Sequence, residues 1–85
     1  KLNFYHYRDK DGYEVDIVIE NSFDEVIGIE VKAAASVNPK DLHGLNKLKE
    51  IAGKKFKLGI LLYDGDHTSS FGDKLFAVPI ASLWS

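Results

Sequence analysis

Residues 13–20 read Tyr-Glu-Val-Asp-Ile-Val-Ile-Glu, a stretch in which apolar and acidic side chains alternate. Because successive side chains of a strand point to opposite faces, this period of two predicts a β-strand. One face carries Tyr13, Val15, Ile17 and Ile19, and the other carries Glu14, Asp16, Val18 and Glu20. Residues 26–33 repeat the pattern, with Ile27, Ile29 and Val31 on one face and Gly28, Glu30 and Lys32 on the other. The two segments predict neighbouring strands.

The residues before and between these segments complete a small sheet. Residues 2–8 are rich in aromatic side chains and predict a first strand, which Asp11 and Gly12 join to the next by a hairpin turn. The polar residues 21–25 predict a second turn. Strands joined by such short turns form an antiparallel meander.

The period changes after Ser36. Pro39 lies near a predicted helix start that Asn38 or Ser36 caps, and Gly53 is a natural stop. Between them the apolar stripe is formed by Leu42, Leu45, Leu48, Ile51 and Ala52. Residues 58–62 predict a strand buried on both faces, and residues 75–79 predict a last strand.

The predicted order is therefore β-β-β-α-β-β in a single α/β domain spanning residues 1–85. A right-handed crossover through the helix places the fourth strand parallel to the third or close by. Residues 80–84 predict a final helical turn whose Leu83 and Trp84 pack on the core. The helix covers one face of the sheet, and the other face lacks a partner. We expect a further helix before residue 1, and we expect the chain to be a fragment of a longer protein.

Composition excludes several classes of protein. The 85 residues contain no cysteine, which rules out disulfides, thiolate metal sites and cysteine nucleophiles. No segment approaches the length of a membrane span and no signal peptide is visible, so we expect a cytoplasmic protein. Net charge is −2, yet residues 1–30 hold eight acidic against three basic residues, and residues 40–57 hold six lysines against two acids. Either a basic contact face or a solvated lysine-rich helix explains the second segment.

Three charged residues of the predicted meander are candidates for chemistry. Glu30 and Lys32 are two apart on one strand and share a face, and Asp16 lies on the neighbouring strand. Two adjacent carboxylates repel each other, and a divalent cation such as Mg²⁺ or Mn²⁺ relieves that repulsion. Such a cation polarises a phosphoryl oxygen, and a lysine beside it neutralises developing charge. The structural alternative is a salt bridge of Lys32 with Glu30 or Asp16, and the residues alone leave both readings open.

The arrangement of Asp16, then Glu30-x-Lys32, then a helix and a buried strand resembles the PD-(D/E)xK phosphodiesterase superfamily, which includes restriction endonucleases. One branch is more similar still, the C-terminal domain of prokaryotic AAA-type ATPases, a domain of unknown function with a nuclease-like fold. The segments that carry this resemblance are residues 8–16, 29–33, 41–45, 59–65 and 78–84.

The resemblance implies a restriction-endonuclease-like fold whose N-terminal helix is missing from this chain. It implies that Asp16 and Glu30 bind the metal, that Lys32 is the catalytic lysine, and that Glu14 is a further candidate acid. DNA and the N-terminal ATPase domain of a parent chain are the implied partners, with ATP bound only outside these residues. Two departures stand out: Val15 precedes Asp16 where proline is common, and the superfamily's additional helical acid is not present.

The remaining candidates are weaker. His6, His43 and His67 lack the spacing of a zinc motif, and Gly53-Lys54 lacks the glycine and hydroxyl residues of a phosphate-binding loop. We therefore expect a nuclease-like domain that hydrolyses phosphodiester bonds in DNA with Mg²⁺, with a non-catalytic accessory domain binding DNA or protein as the alternative. The aromatic residues of the first strand and the lysines of residues 47–57 are candidate contacts to bases and phosphates.

Overall fold

The computed structural model describes residues 1–84 and shows a mixed α/β architecture, one sheet with one α-helix. The strands are β1 (Asn3–Arg8), β2 (Glu14–Glu20), β3 (Val26–Lys32), β4 (Phe56–Tyr63), β5 (Ser69–Ser70) and β6 (Leu75–Pro79), and the helix is α1 (His43–Ala52). Short 3₁₀ turns occupy Pro39–Leu42, Gly53–Lys55 and Ile80–Trp84. No helix within residues 1–84 has the length and apolar character needed to cross a bilayer.

The sheet has the strand order β1-β2-β3-β4-β6-β5. β1, β2 and β3 pair antiparallel, which confirms the predicted meander. β4 lies parallel to β3 because α1 carries the chain across the sheet between them, and β6 lies parallel to β4. The two-residue strand β5, which pairs antiparallel to the outer side of β6, was not predicted. It is too short to leave a periodic signal in the sequence.

The 3₁₀ turn Pro39–Leu42, which leads directly into α1, begins with a capping arrangement around Asn38. The Asn38 side chain accepts a hydrogen bond from the Lys40 amide at 3.1 Å, and the Asp41 carboxylate accepts one from the Asn38 amide at 2.8 Å. This reciprocal pair satisfies amides that have no partner at a helix start. At the other end Gly53 has φ of +56°, a conformation that glycine adopts without strain, and α1 ends there.

The core lies between α1 and one face of the sheet. Leu45 and Leu48 of α1 pack over Gly28, where a Cβ atom would lie 2.9 and 2.7 Å, respectively, from their methyl groups. The other core side chains, all at most 4% exposed, are Val15, Val18, Val26, Leu42, Phe56, Leu61 and Leu75. Each fully buried aliphatic or aromatic side chain contributes about 1.5–3 kcal/mol, so this layer holds the sheet and helix together.

The opposite face of the sheet is apolar and has no helix over it within residues 1–84. Phe4 is 63% exposed, Val31 53% and Ile17 40%. This second face is therefore apolar and partly exposed in the described part of the chain. The prediction that Leu83 and Trp84 pack on the core is wrong, since these side chains are 59% and 76% exposed.

A β-bulge in β2 corrects the predicted faces of that strand. Tyr5 pairs with Val18 and Tyr7 pairs with Val15, so that His6 alone opposes Asp16 and Ile17. The additional residue on β2 reverses which of the following side chains point to each face of the sheet. Val15 and Val18 are consequently both fully buried, whereas Ile17 is substantially exposed. The prediction that Val15 shares a face with Ile17, and Asp16 with Val18, is thus wrong beyond the bulge.

Candidate functional site

β2 and β3, the strands that carry the predicted acids, stop pairing regularly with each other next to Asp16 and Glu30. Regular pairing of β2 with β3 ends at Ile17 and Ile29. Beyond that point the Asp16 amide donates to Oε1 of Glu30 at 3.0 Å, and the Val31 amide donates to Oδ2 of Asp16 at 2.8 Å. Each carboxylate thus accepts the hydrogen bond that a backbone carbonyl would accept in a regular ladder. The structure brings Asp16 and Glu30 together, as the sequence predicted.

A cleft of about 490 Å³ opens beside this separation. Its lining includes Tyr13, Glu14, Glu30, Lys32, Asp41 and His43. Three of the four predicted site residues, Glu14, Glu30 and Lys32, therefore share one open cleft. Asp16 is not part of the lining and reaches the site only through Glu30 and the Val31 amide.

Glu30 has the most perturbed acid–base behaviour in the cleft. Its burial raises the pKa to about 7, and the charges of Asp16 and Glu14 act in the same direction against the hydrogen bond from the Asp16 amide. Burial disfavours the charged form of a carboxyl group, and neighbouring negative charges add to that effect. At neutral pH the cleft therefore holds a carboxyl group that readily exchanges a proton. Perturbed groups of this kind are concentrated at functional sites.

The N-terminal turn of α1 is the reason that Glu30 is buried. Gly44 packs against the backbone of β2, and a Cβ atom at that position would lie 1.9 Å from the carbonyl oxygen of Glu14 and 3.2 Å from Oε2 of Glu30. Only glycine permits this approach of helix to strand. The helix start is thereby held directly against the carboxylate region.

Glu14, the additional candidate acid, lies at the mouth of the cleft. Its Oε1 atom is 3.2 Å from Nε2 of His6 on the neighbouring strand, and both side chains are about half exposed. The contact is a surface pair and contributes little to stability. Glu14 nevertheless adds negative charge beside Glu30, as the pKa of Glu30 reflects.

Lys32 forms an ion pair with Asp41. The expected structural alternative, a salt bridge of Lys32 with Glu30 or Asp16, does not occur among residues 1–84. Hydrogen bonds from the Asn38 amide and from Lys32 hold the pKa of Asp41 below its usual range. Asp41 is a site residue that reasoning from the strands missed. The Asn38-Pro39-x-Asp41 pattern was the available signal, because it places Asp41 in the first turn after β3.

The carboxylates of Asp16 and Glu30 offer the donor chemistry that Mg²⁺ prefers. Each has one oxygen engaged by a backbone amide, and the two carboxyl groups lie close enough that a hydrogen bond between them helps to raise the pKa of Glu30. Mg²⁺ is commonly held by one or two carboxylates, with water and substrate phosphates completing its shell. No group of three or more His, Cys, Asp or Glu side chains suited to a metal occurs within the same residues. Asp16 and Glu30 alone would supply two protein ligands, so a cation held there would keep several water ligands.

The lysine-rich segment does not form one continuous basic face. Lys47 pairs with Glu50 and lies 5.4 Å from the centre of the Tyr13 ring. Lys55 donates to the Phe23 carbonyl, and Lys57 pairs with Glu25 at the far end of β2 and β3. Lys40 is the member of this segment that lines the cleft. The lysines are distributed around the fold, as solvated surface residues are.

The chain was also compared with known proteins. The family model described as "Domain of unknown function (DUF4143)" matches residues 1–83. The chain belongs to the DUF4143 family. Comparison with curated proteins and with solved structures gave no match. The DUF4143 description states no activity, so the side chains of the cleft are the basis for inferring function.

Proposed function

We propose that this DUF4143 domain has a restriction-endonuclease-like fold and hydrolyses phosphodiester bonds in DNA with a divalent cation, as the C-terminal domain of a AAA-type ATPase. The observation that carries the proposal is the half-buried Glu30 carboxyl, with a pKa of about 7, beside Asp16 at the opening of β2 and β3. A carboxyl group held at that pKa by burial and like charge gains from replacing its proton with a cation.

Asp16 and Glu30 would hold Mg²⁺ or Mn²⁺, which when bound polarises a phosphoryl oxygen and lowers the pKa of a bound water. Lys32 shares the cleft with Glu30 and supplies the positive charge that a phosphate needs as its own charge increases. Glu14 lies close enough to Glu30 to raise its pKa, and it keeps the mouth of the cleft acidic. Acidic and basic side chains thus line one open cleft.

A second candidate is a non-catalytic accessory domain that binds DNA or protein for the ATPase. The engagement of Lys32 by Asp41, and of one oxygen of each acid by a backbone amide, favours it. In this reading the charged residues hold together the open ends of the two strands. Both candidates use the same cleft, and metal binding distinguishes them.

The test is a Mn²⁺ titration of the wild-type protein by calorimetry, together with the Asp16→Asn and Glu30→Gln variants. We expect one site in the wild type and a loss of affinity of about tenfold or more in each variant. Glu25→Gln is the matched control, because Glu25 lies at the opposite end of the same strand pair and binds Lys57. A nuclease assay on wild type and Asp16→Ala follows. Equal cleavage by both proteins, or no Mn²⁺ bound by the wild type, would refute the catalytic proposal.

A further inference from the structure

The ammonium group of Lys32 has a single carboxylate partner among residues 1–84, and that partner comes from outside the meander. Asp41 lies in the Pro39–Leu42 turn, and its Oδ2 atom accepts from Lys32 Nζ. The two side chains are 24% and 21% exposed. The other lysine–carboxylate pairs are more open, because Glu50 is 73% exposed and Lys57 47%. The Lys32–Asp41 pair is thus the least exposed of the lysine ion pairs in the described chain.

Asp41 is a fixed acceptor. The same Oδ2 atom also accepts from the Asn38 amide at 2.8 Å, as half of the capping arrangement that begins the turn. The segment between Lys32 and Asp41 is anchored as well, since the Ala34 carbonyl accepts from the Asp64 amide at 2.9 Å at the end of β4. A flexible lysine loses side-chain entropy when it is held, and a preformed acceptor reduces the additional ordering required.

We propose that Asp41 is the positioning residue for Lys32, holding its ammonium group at the wall of the cleft that Glu30 also lines, ready to meet a phosphate. The proposal rests on the proposed function, because it specifies how the lysine of that site is held. An ammonium group has three protons to donate. Asp41 takes one of them, and the other two remain available to a ligand in the cleft. Without Asp41 the lysine would move among several rotamers.

The contact is tested by the reactivity of Lys32 toward an acylating reagent at fixed pH, quantified by mass spectrometry on the folded protein. In Asp41→Asn we expect the labelling rate of Lys32 to rise about tenfold, because a charge-assisted hydrogen bond to a fixed carboxylate is lost. Asp41→Glu should restore part of the protection. Asn38→Ala is the matched control: it removes the side-chain acceptor of the Lys40 amide in the same turn and leaves the Asp41 carboxylate in place. Circular dichroism establishes that each variant is folded.

A nuclease assay supplies the kinetic measurement. If Asp41 positions Lys32 for the reaction, Asp41→Asn should lower kcat about tenfold with KM for DNA nearly unchanged, and Asp41→Glu should recover part of kcat. A smaller folded fraction would also lower the apparent kcat at unchanged KM, so kcat is calculated per folded protein, with the folded fraction taken from circular dichroism. A variant that merely destabilised the fold would then show the kcat of the wild type.

The possible outcomes separate this inference from the proposed function. Unchanged labelling of Lys32 in Asp41→Asn would refute the inference, whatever the activity. A higher kcat in that variant would also refute it, since Asp41 would then be holding Lys32 away from the position that the reaction requires. Increased labelling in a protein that cleaves no DNA would refute the proposed function and leave Asp41 as the residue that fixes Lys32.

Discussion

The two halves of the β2–β3 pair differ in which groups accept hydrogen bonds from the backbone amides. In the paired half, Ile17–Glu20 of β2 and Val26–Ile29 of β3 form a regular ladder, and their inward side chains pack under α1. In the open half, residues 14–16 and 30–32, the ladder stops and carboxylates accept from the backbone amides of Asp16 and Val31. Backbone amides need acceptors wherever they lie.

This difference explains how the candidate site obtains its precision. In the paired half the backbone amides and carbonyls of the two strands bond to each other, so no side chain is needed as an acceptor and the inward side chains form the apolar core. In the open half, the need to satisfy two amides fixes the positions of Asp16 and Glu30. The acids are thereby pre-positioned by the fold, close enough to each other to raise the pKa of Glu30. Preorganised groups of this kind are what a binding or catalytic site requires.

The largest expected contrast between the halves comes from two glycines. In the open half, a Cβ atom on Gly44 would lie 1.9 Å from the Glu14 carbonyl oxygen, which belongs to a strand and cannot move aside. In the paired half, a Cβ atom on Gly28 would meet the methyl groups of Leu45 and Leu48, which can change rotamer. We expect Gly44→Ala to lose about 3 kcal/mol or more in urea unfolding, and Gly28→Ala about 1–2 kcal/mol. Alanine's advantage of about 1 kcal/mol in a helix does not offset the first clash.

Equal losses in the two variants would contradict this account. A merely tolerated Gly44→Ala would show that α1 can shift away from the carboxylates. In that case the burial of Glu30 would not depend on the close approach of the helix. The m-value of each unfolding curve serves as the control, because a change in slope would indicate an altered denatured state.

The two halves also differ in how well the sequence predicted them. Apolar periodicity located β2, β3 and α1, because burial of one face leaves a repeating signal, and β4 was located by an almost continuous apolar run. It did not locate the bulge opposite His6, since Ile17, Val18 and Ile19 are all apolar and fit either face equally well. The exposure of Ile17 and the burial of Val18 therefore required the three-dimensional register.

The site itself was predicted in part. Adjacent strands with charges at matching positions sufficed to bring Asp16 near Glu30 and to place Glu30 beside Lys32. The partner of Lys32 could not be predicted in the same way, because Asp41 is nine residues away in a turn whose path depends on its anchoring near Asp64. Alternation describes neighbours within a sheet, and it contains no information about loops that return to it.

Proton binding by Glu30 should make the open half pH-sensitive. A carboxyl whose folded pKa is about 7, above the unfolded value near 4.5, keeps its proton in the folded state between those pH values while the unfolded state has lost it. Stability in the presence of EDTA should therefore fall as pH rises from about 4.5 to 7. Glu30→Gln removes this cost, and because Glu30 is only half-buried we expect a gain of about 1–2 kcal/mol at pH 8 with little change at pH 4.5.

Urea unfolding of wild type and Glu30→Gln at a series of pH values measures this effect. The amide oxygen of glutamine can still accept from the Asp16 amide, so the comparison isolates the charge. Parallel profiles for the two proteins would show that Glu30 ionises normally and that α1 does not shield it.

The smallest effect should come from Glu25, which lies at the other end of the paired half. Its contribution to stability depends on pH in the opposite direction to that of Glu30. Hydrogen bonds from the Asn21 side chain and from Lys57 lower the pKa of Glu25. Its contribution to stability is therefore fully present above its unfolded value of about 4.5 and is lost as pH falls through the lower, folded value. Glu25→Gln should lower the free energy of unfolding by a small constant amount above pH 4.5 and make its fall with decreasing pH shallower below that value.

The two carboxyls thus act in separate pH windows, and the same series of unfolding curves measures both. Glu30 determines how stability changes with pH above about 4.5, and Glu25 determines how it changes below that value. A Glu25→Gln profile whose slope departs from that of wild type above pH 5, or a Glu30→Gln profile whose slope departs below pH 4, would mean that the two ends of the strand pair are energetically coupled. Independent windows are expected because β2 and β3 are regularly paired from Ile17 to Glu20 between the two acids, and well-separated sites contribute additively.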